Sequence, residues 1–504
     1  MNMNEKKVSS FFDDFEDIKK PNKKIFSDNN VFELKDIKDI KDIKKINTEE
    51  NGKINEYSGF TIIDKDLLKK IKSEQQKKEL IRNSAVLIPK NNFSIKSSLT
   101  SLASTFYYNY FNKNKKFDDK NFKTPLILFD LIIPKEQIKF FYRNILTFLY
   151  MSYRSDFTNL NVTGSGNYTT DCGWGCMIRS CQMMLSKALI ERKKYNYWEN
   201  IIDLKIQDLN EIRKKVLVFF LDNNIPIQNI ISHNDYQFFW KEYSKLCLED
   251  FKYTGLSEVI APYSIQTICK VAKCAGKYTS DINMIKAFKE INKVFFDELE
   301  IIHFECGTIK KKTILDILCS EIVCKCNNNN QINTLNNDNK KNSFCDKCLN
   351  EMISNNEINA EDILYNKDNK IYIFKKAGII FISFRLGLET IHPDYVKVIP
   401  YLFTNLHHNI GFVSGKENKA FYFIGLSGDE LLYVDPHLNQ TSIKSDLSDI
   451  KSYYVKDIYL LEISEISSEL TIGVLINSCD DLRIFFEDIK WFLYQFPDFI
   501  RFDE

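Results

Sequence analysis

One cysteine stands between a glycine-rich turn and a predicted helix start. In Gly173-Trp174-Gly175-Cys176-Met177, the cysteine is followed by apolar residues at spacings of three and four, the period of an amphipathic helix. Backbone N–H groups at a helix N-terminus favour an anion, so they stabilise a thiolate and lower the pKa of its thiol. Cys176 is therefore a candidate nucleophile, although these five residues equally fit a small buried apolar side chain.

A histidine and a carboxylate that could serve this thiol follow much later, in Asp435-Pro436-His437. Apolar runs on either side of Gly428-Asp429 predict a hairpin, and both residues leave its second strand. Residues i and i+2 of an extended segment project to the same side, and a proline favours the extended form before it. Asp435 can then select the tautomer of His437 and stabilise its imidazolium. A lone Asp-x-His is usually a surface turn, but Cys176 in the same chain favours a Cys-His-Asp site.

Together with their neighbours, these motifs resemble the autophagins, the cysteine peptidases that process the ubiquitin-like modifier of autophagy. The resemblance is strong over roughly 150–190 and 377–442 and looser elsewhere from about 85. It does not cover the N-terminal tail or an asparagine-rich insert. The residues that carry it are Tyr153-Arg154, Thr170 to Arg179 with Gln182-Met183, Phe384 to Leu388, and Tyr433 to His437 with Gln440.

The resemblance implies a papain-like α+β fold, with the nucleophile on a helix N-terminus and the histidine and aspartate on a β-sheet. It also implies that Cys176 is the nucleophile, that His437 is the general base and acid, and that Asp435 orients the imidazole. Tyr153 matches the tyrosine whose hydroxyl, with the Cys176 N–H, serves the oxyanion hole. A preorganised donor of this kind lowers the barrier by roughly 3 kcal/mol. We expect no cofactor.

Further residues are candidates for substrate contact. Trp174 is expected mainly to pack beside the site. Tyr278 falls near the family's tryptophan that covers the scissile glycine. Ser414 to Ala420 occupies the place of a mobile loop over the active site, where Glu417 replaces the usual proline and predicts a looser lid. The loop residues that are candidates for substrate contact are Gly415, Lys416 and Glu417.

The elements that must position these residues change in character along the chain. Helical periods come first, at Gln137 to Met151, Asp208 to Leu221 and Ser264 to Cys274. Short apolar runs then predict strands at Ile371 to Phe374, Gly378 to Phe384, Ala420 to Ile424 and Leu431 to Val434. Helices followed by strands are typical of an α+β domain.

Composition divides the chain into a tail, a catalytic body and an insert. Residues 1–84 carry a Lys-Asp-Ile repeat whose period of three fits neither helix nor strand, so we expect a disordered tail. A peptidase domain is expected over 85–490, with an insert at about 324–368, and a short tail over 491–504. The insert's thiols could bind Zn²⁺ as four thiolates, but free thiols are favoured and we assign no metal site. These thiols are Cys324, Cys326, Cys345 and Cys348.

The whole-chain composition fits an intracellular enzyme. A formal net charge of +1 over 504 residues argues against nucleic-acid or general membrane-surface binding. We find no signal-peptide pattern and no run of about 20 apolar residues, so a cytoplasmic location is expected. Thirteen cysteines in a chain this long do not make a disulfide framework. Cys172 and Cys181 could resolve an oxidised Cys176, although buried structural roles are favoured.

These observations predict a thiol peptidase whose substrate ends in or near glycine. The resemblance implies two substrates, the unprocessed autophagy modifier and the same modifier amide-linked to phosphatidylethanolamine, so any membrane association would be transient and through the lipidated substrate. Two alternatives remain open. A transglutaminase-like acyltransferase also uses a cysteine, but those enzymes place histidine and carboxylate far apart in sequence. A non-catalytic modifier-binding scaffold would require an unreactive Cys176.

Overall fold

A computed structural model describes the ordered elements that surround these motifs. The residues it describes are 114–160, 168–197, 206–223, 225–226, 258–259, 261–295, 299–322, 346–355, 357–365, 370–443, 447 and 449–503. Apart from Ile206, they belong to one compact unit that comprises 92–200 and 207–504. The predicted tail over 1–84 lies outside the described residues, so its disorder stays a prediction.

The described residues include nine α-helices. They are α1 (Ile138–Ile145), α2 (Cys176–Tyr197), α3 (Ile206–Leu217), α4 (Ile265–Ala272), α5 (Asp281–Phe295), α6 (Lys311–Leu318), α7 (Asp346–Ser354), α8 (Val398–Asn405) and α9 (Cys479–Gln495). The predicted helix at Gln137 to Met151 is confirmed only up to Ile145. Beyond it, Arg213 donates to the carbonyls of Leu146 and Phe148 at 2.5 and 2.6 Å, so these backbone groups bind another element instead of continuing the helix.

Helix α2 is confirmed at the predicted place, but it is not amphipathic. From Ile178 to Ile190 every residue is buried, polar ones included. The helix packs against strands of the sheet on one side and against α5 on another. A helix that is enclosed all round belongs to the centre of a domain, so its first residue, Cys176, is held by the core itself.

Ten strands of the described residues form one sheet. They are β1 (Lys115–Lys116), β2 (Leu126–Leu128), β3 (Leu131–Ile133), β8 (Leu299–Phe304), β13 (Ala377–Thr390), β14 (Asn409–Lys416), β15 (Lys419–Ser427), β16 (Glu430–Val434), β18 (Tyr459–Glu462) and β19 (Ser467–Ile476). Their order is β1-β18-β16-β15-β14-β19-β13-β8, with β2 on β15 and β3 on β2. Only the β8–β13 pair of this sheet is parallel. The predicted hairpin at Gly428-Asp429 is confirmed as β15–β16.

Shorter strands make the remaining pairs. They are β4 (Arg154–Leu160), β5 (Tyr168–Thr170), β6 (Ile225–Pro226), β7 (Glu258–Val259), β9 (Thr308–Lys310), β10 (Cys319–Ile322), β11 (Ile363–Tyr365), β12 (Ile371–Phe374), β17 (Gln440–Thr441) and β20 (Arg501–Asp503). The sheet β17-β4-β5 matters most for function. Strand β4 starts directly after Tyr153, β5 ends just before the cysteine turn, and β17 begins shortly after His437. Pairing these strands therefore brings the three predicted catalytic segments together.

Part of the predicted insert is folded. Strands β11 and β10 flank β12, and a small separate core consists of Leu349, Ile358, Ile363, Ile371 and Ile373. Cys324, Cys326 and Cys345 lie outside the described residues, as does the side chain of Cys348, so their state stays a prediction. Helix α9 and strand β20 extend into 491–504. The domain boundaries that composition suggested likewise stay predictions.

The main core lies on the sheet, where Phe412 of β14 and Phe423 of β15 stack with ring centroids 4.7 Å apart. Helices α8 and α9 pack against this sheet. Among the described residues, no helix is both long enough and apolar enough to cross a membrane.

Replacing Phe412 by alanine will lower the free energy of unfolding by about 3–5 kcal/mol, because a buried aromatic ring leaves a cavity. Leu388 on β13 is 85% exposed, so its replacement by alanine should change that free energy by no more than about 0.5 kcal/mol. Denaturant unfolding followed by tryptophan fluorescence measures both values. Equal losses at the two positions would show that this core is wrongly assigned.

Candidate active site

A tight turn delivers the chain from β5 to the start of α2. The Asp171 carbonyl accepts hydrogen bonds from the N–H groups of Trp174 at 3.1 Å and Gly175 at 2.9 Å. Gly173 has a φ of 86°, a conformation that glycine adopts without steric cost. The turn places Cys176 at the first position of α2, where helical N–H groups have no acceptor within the helix.

Cys176, His437 and Asp435 come together where α2 meets the sheet. Nδ1 of His437 lies 2.5 Å from Oδ1 of Asp435, and the same oxygen accepts the His437 backbone N–H at 2.9 Å. The predicted contact within Asp435-Pro436-His437 is thus confirmed. Hydrogen bonding between the imidazole and the Cys176 thiol contributes to the pKa shifts of both groups. Cys176 as a whole residue is only 3% exposed, and the His437 side chain is 15% exposed.

The pKa shifts of this pair favour its charged form. Burial by itself raises the pKa of Cys176. The hydrogen bond and positive charge of His437 lower this pKa, and so do the Ala420 N–H and the Tyr153 hydroxyl. The net result is a pKa below the ordinary value of a cysteine. Burial lowers the pKa of His437, but the charge and hydrogen bond of Asp435 outweigh burial and raise this pKa to about 9. A thiolate beside an imidazolium is a nucleophile paired with a proton donor.

Tyr153 completes the arrangement. Its hydroxyl hydrogen-bonds with Cys176, and its ring lies edge-on to His437 with centroids 5.3 Å apart. Its backbone N–H donates to the Pro436 carbonyl at 2.8 Å, and its carbonyl accepts from the Gln440 N–H at 2.9 Å. Burial, then the charge of Cys176, raises the pKa of the tyrosine, so the hydroxyl keeps its proton. The site therefore has a fixed hydrogen-bond donor beside the sulfur.

The part of the chain that carries this site matches a known protein family. Residues 138–488 match the family model of the Peptidase C54 catalytic domain. The chain belongs to the peptidase C54 family. Similar proteins include cysteine protease ATG4B of Xenopus laevis, 24% identical over 72% of this chain and 77% of the relative, and ATG4C of Homo sapiens, 22% identical over 81% and 83%. ATG4B of Gallus gallus is 23% identical over 68% and 74%.

The C54 membership confirms several expectations at once. The autophagin resemblance is confirmed, and so is the papain-like α+β fold, with helices and sheets both present in quantity. The chain is a thiol protease of autophagy. A protease is thereby favoured over the acyltransferase and over the non-catalytic scaffold.

Two of the residues predicted beside this C54 site differ sharply in exposure. Trp174 is buried, its ring lies edge-on to Tyr168, and its indole N–H donates to the Thr170 carbonyl at 3.2 Å. Packing is therefore its observed contribution. Tyr278 is 69% exposed. Partial burial and the charge of Cys176 raise the pKa of Tyr278, and its contact with substrate stays a prediction.

The predicted loop at 414–420 is a tight hairpin between β14 and β15. Gly415 pairs with Ala420 and Lys416 with Lys419, leaving a two-residue turn. Glu417 has a φ of 51°, which the ring of a proline excludes, so this turn requires the departure from the family pattern. Lys416 Nζ lies 2.9 Å from a Glu465 oxygen. Whether the hairpin opens more readily than a proline-bearing loop stays a prediction.

Several neighbours of the site carry no sequence signal. The Ala420 backbone N–H helps to lower the pKa of the Cys176 thiol, and every residue except proline has such a group. The Tyr150 hydroxyl donates to the Asp435 carbonyl at 2.8 Å, and the Asn114 amide donates to its Oδ2 at 3.4 Å. These contacts bring together segments that are far apart in the chain, so only the fold reveals them.

The two flanking cysteines are both buried. Cys172 packs with Tyr153, Cys176 and Ala420. Burial, then the charges of Asp281 and Cys176, raises the pKa of Cys181 well above its ordinary value. Cys181 therefore keeps its proton, as a structural thiol does. Within the described ranges, no cluster of His, Cys, Asp and Glu side chains suits a metal ion.

Replacing His437 by asparagine will shift the pH midpoint of Cys176 alkylation upward by about one unit or more, because burial then determines the thiol pKa. At a given pH below this midpoint less thiolate is present, so iodoacetamide reacts more slowly. Mass spectrometry of the Cys176 peptide between pH 5 and 10 gives the profile. Cys181 on the same helix is the internal control and should stay unmodified; coincident profiles in the two proteins would contradict the pairing.

Proposed function

We propose that this C54 peptidase cleaves a ubiquitin-like autophagy modifier after a glycine near its C-terminus, with Cys176 as nucleophile. The observation that supports this most is the contact of one sulfur with both His437 and Tyr153 at the start of α2. His437 is the base, the Tyr153 hydroxyl is the donor for the oxyanion, and the N-terminus of α2 stabilises the thiolate, as acyl transfer to a thiol needs.

The reaction proceeds in two halves. The Cys176 thiolate attacks the carbonyl carbon, and the electron pair that leaves the C=O double bond collects on oxygen. The Tyr153 hydroxyl and the Cys176 N–H donate to this oxyanion. As the C–N bond breaks, the His437 imidazolium protonates the departing amine and a thioester remains. His437 then takes a proton from water, whose oxygen attacks the thioester, and the thiol is released.

Asp435 orients the imidazole throughout. Its oxygen 2.5 Å from Nδ1 of His437 accepts a hydrogen bond from the N–H of that nitrogen. The other ring nitrogen is then free to exchange a proton with the thiol, the leaving amine and water. The Asp435 charge also keeps the His437 pKa near 9, so the imidazolium is available at neutral pH to protonate the leaving group.

The enclosure of the sulfur supports glycine as the acyl residue. Cys176 is 3% exposed and packs with Tyr153, Cys172 and Ala420. A side chain on the residue that donates the acyl group would have to share this space, whereas glycine lets the substrate backbone approach closely. The autophagy modifiers that autophagins process end their mature chain in this residue type, which is why we assign them as the substrate class.

The same site suits the modifier when it is amide-linked to phosphatidylethanolamine. Both substrates present the same acyl group, and only the departing amine differs. The thioester that forms is therefore identical, and its hydrolysis needs no additional residue. We propose that the protein acts on both substrates and meets the membrane transiently, through the lipidated modifier.

Cys176→Ala will abolish release of a reporter fused to the C-terminus of the modifier, because no nucleophile remains. Tyr153→Phe, which removes one oxyanion donor, should lower kcat by about 10²–10³-fold. Gel analysis of the cleaved fusion measures both. Cys181→Ala, a matched thiol deletion on the same helix, should stay within about threefold of the parent enzyme. Cleavage by Cys176→Ala at the parent rate would refute the nucleophile assignment.

Vesicles that carry the phosphatidylethanolamine-linked modifier test the second substrate. The parent enzyme should release the modifier into the supernatant, and Cys176→Ala should leave all of it in the pellet after centrifugation. Processing of the precursor without release from vesicles would show that the enzyme hydrolyses only the peptide bond, and the delipidation half of the proposal would be wrong.

A further inference from the structure

We infer that Asp171 is a positioning residue that holds the Tyr153 hydroxyl beside Cys176. This inference rests on the proposed role of Tyr153 as oxyanion donor. Asp171 touches neither the substrate path nor the sulfur in the contacts described above, yet it contacts both segments that carry those groups. Its carboxylate is fully buried.

The first contact fixes the tyrosine's segment. Oδ1 of Asp171 accepts the backbone N–H of Arg154 at 2.6 Å, and the Asp171 N–H donates to the Arg154 carbonyl at 3.3 Å. Arg154 directly follows Tyr153 and begins β4, so these two bonds fix the point at which the chain passes from the tyrosine into the strand. In an ordinary antiparallel pair a backbone carbonyl would accept that Arg154 N–H.

Here the Asp171 carboxylate accepts the Arg154 N–H, because the Asp171 backbone carbonyl has other donors. The Asp171 carbonyl already accepts the Trp174 and Gly175 N–H groups of the turn that leads to Cys176. One residue therefore binds the tyrosine's strand through its side chain and the nucleophile's turn through its main chain. Any shift of Asp171 changes the distance between the two segments.

The fit around this carboxylate is tight. A methyl group at Gly175 would lie 2.7 Å from the Asp171 Cβ and closer still to its carboxylate. The φ of Gly175 does not require glycine, so the glycine before Cys176 is explained by contact with Asp171.

A buried arginine holds the other oxygen. Nε of Arg179 on α2 donates to Oδ2 of Asp171 at 2.7 Å, and its guanidinium also pairs with Asp222 at 2.8 Å and with Gln182 at 3.1 Å. Burial raises the pKa of Asp171, and the arginine opposes this rise. Since the side chains of Asp171, Arg179 and Asp222 are at most 1% exposed, the carboxylate has one permitted position.

The charge of Asp171 acts on the same hydroxyl. After burial and the charge of Cys176, the charge of Asp171 is the next largest influence that raises the pKa of Tyr153. The tyrosine therefore keeps the proton that an oxyanion donor must supply. The position of the Tyr153 hydroxyl thus depends on Asp171, and the charge of Asp171 adds to the burial that keeps this hydroxyl protonated.

A double-mutant cycle on the reporter fusion tests this inference. Asp171→Asn turns an N–H₂ group toward one of the two donors that now bind the carboxylate, the Arg154 N–H or the Arg179 Nε–H. We expect kcat to fall at least tenfold with KM within twofold. In a Tyr153→Phe background the same change should lower kcat less than twofold further, because the hydroxyl that it misplaces is already absent. Losses that multiply in the double variant would overturn the inference.

Asp222→Asn is the matched control, since Asp222 is an equally buried partner of Arg179 that does not contact the turn or Arg154. It should destabilise the fold to a similar degree and leave kcat within threefold of the parent enzyme; a loss as large as that of Asp171→Asn would show a general structural effect. If Asp171→Asn does not fold, Arg179→Lys removes the Nε anchor and should show the same dependence on Tyr153. Activity in Cys176→Ala would instead refute the proposed function itself.

Discussion

A buried sulfur that must carry negative charge is the constraint on which this site depends. Burial opposes the thiolate, so the surroundings have to supply compensating donors and positive charge. His437, the Ala420 N–H, the Tyr153 hydroxyl and the N-terminus of α2 each contribute. They come from four separate parts of the chain, and this explains why a large sheet and an enclosed helix are needed to hold one reactive atom.

The small sheet β17-β4-β5 holds the groups around the sulfur in position. Its strands begin or end next to Tyr153, the cysteine turn and His437, so backbone pairing sets the relative position of the three groups. The bond from the Tyr153 N–H to the Pro436 carbonyl adds a direct link. Backbone hydrogen bonds hold position more rigidly than long side chains do, and catalytic groups tolerate little displacement.

Features with local causes could be predicted from the sequence. The start of α2, the β15–β16 hairpin and the Asp435–His437 contact involve residues that are near each other in the chain. The end of α1 could not be predicted, because Arg213 takes the carbonyls that would continue it. The contribution of the Ala420 N–H could not be predicted either, since a backbone N–H is not specific to one residue type. The amphipathic spacing of α2 was misleading because its polar residues pair inside the core.

Enclosure of α2 has a consequence for how the molecule fluctuates. Residues 178–190 are buried on every side, so the helix has no exposed face from which it can detach while the rest stays folded. Its amide hydrogens should exchange with solvent only when the whole unit opens, whereas the exposed Tyr278 can fluctuate independently. The segment that carries the nucleophile then belongs to the slowest-exchanging part of the protein.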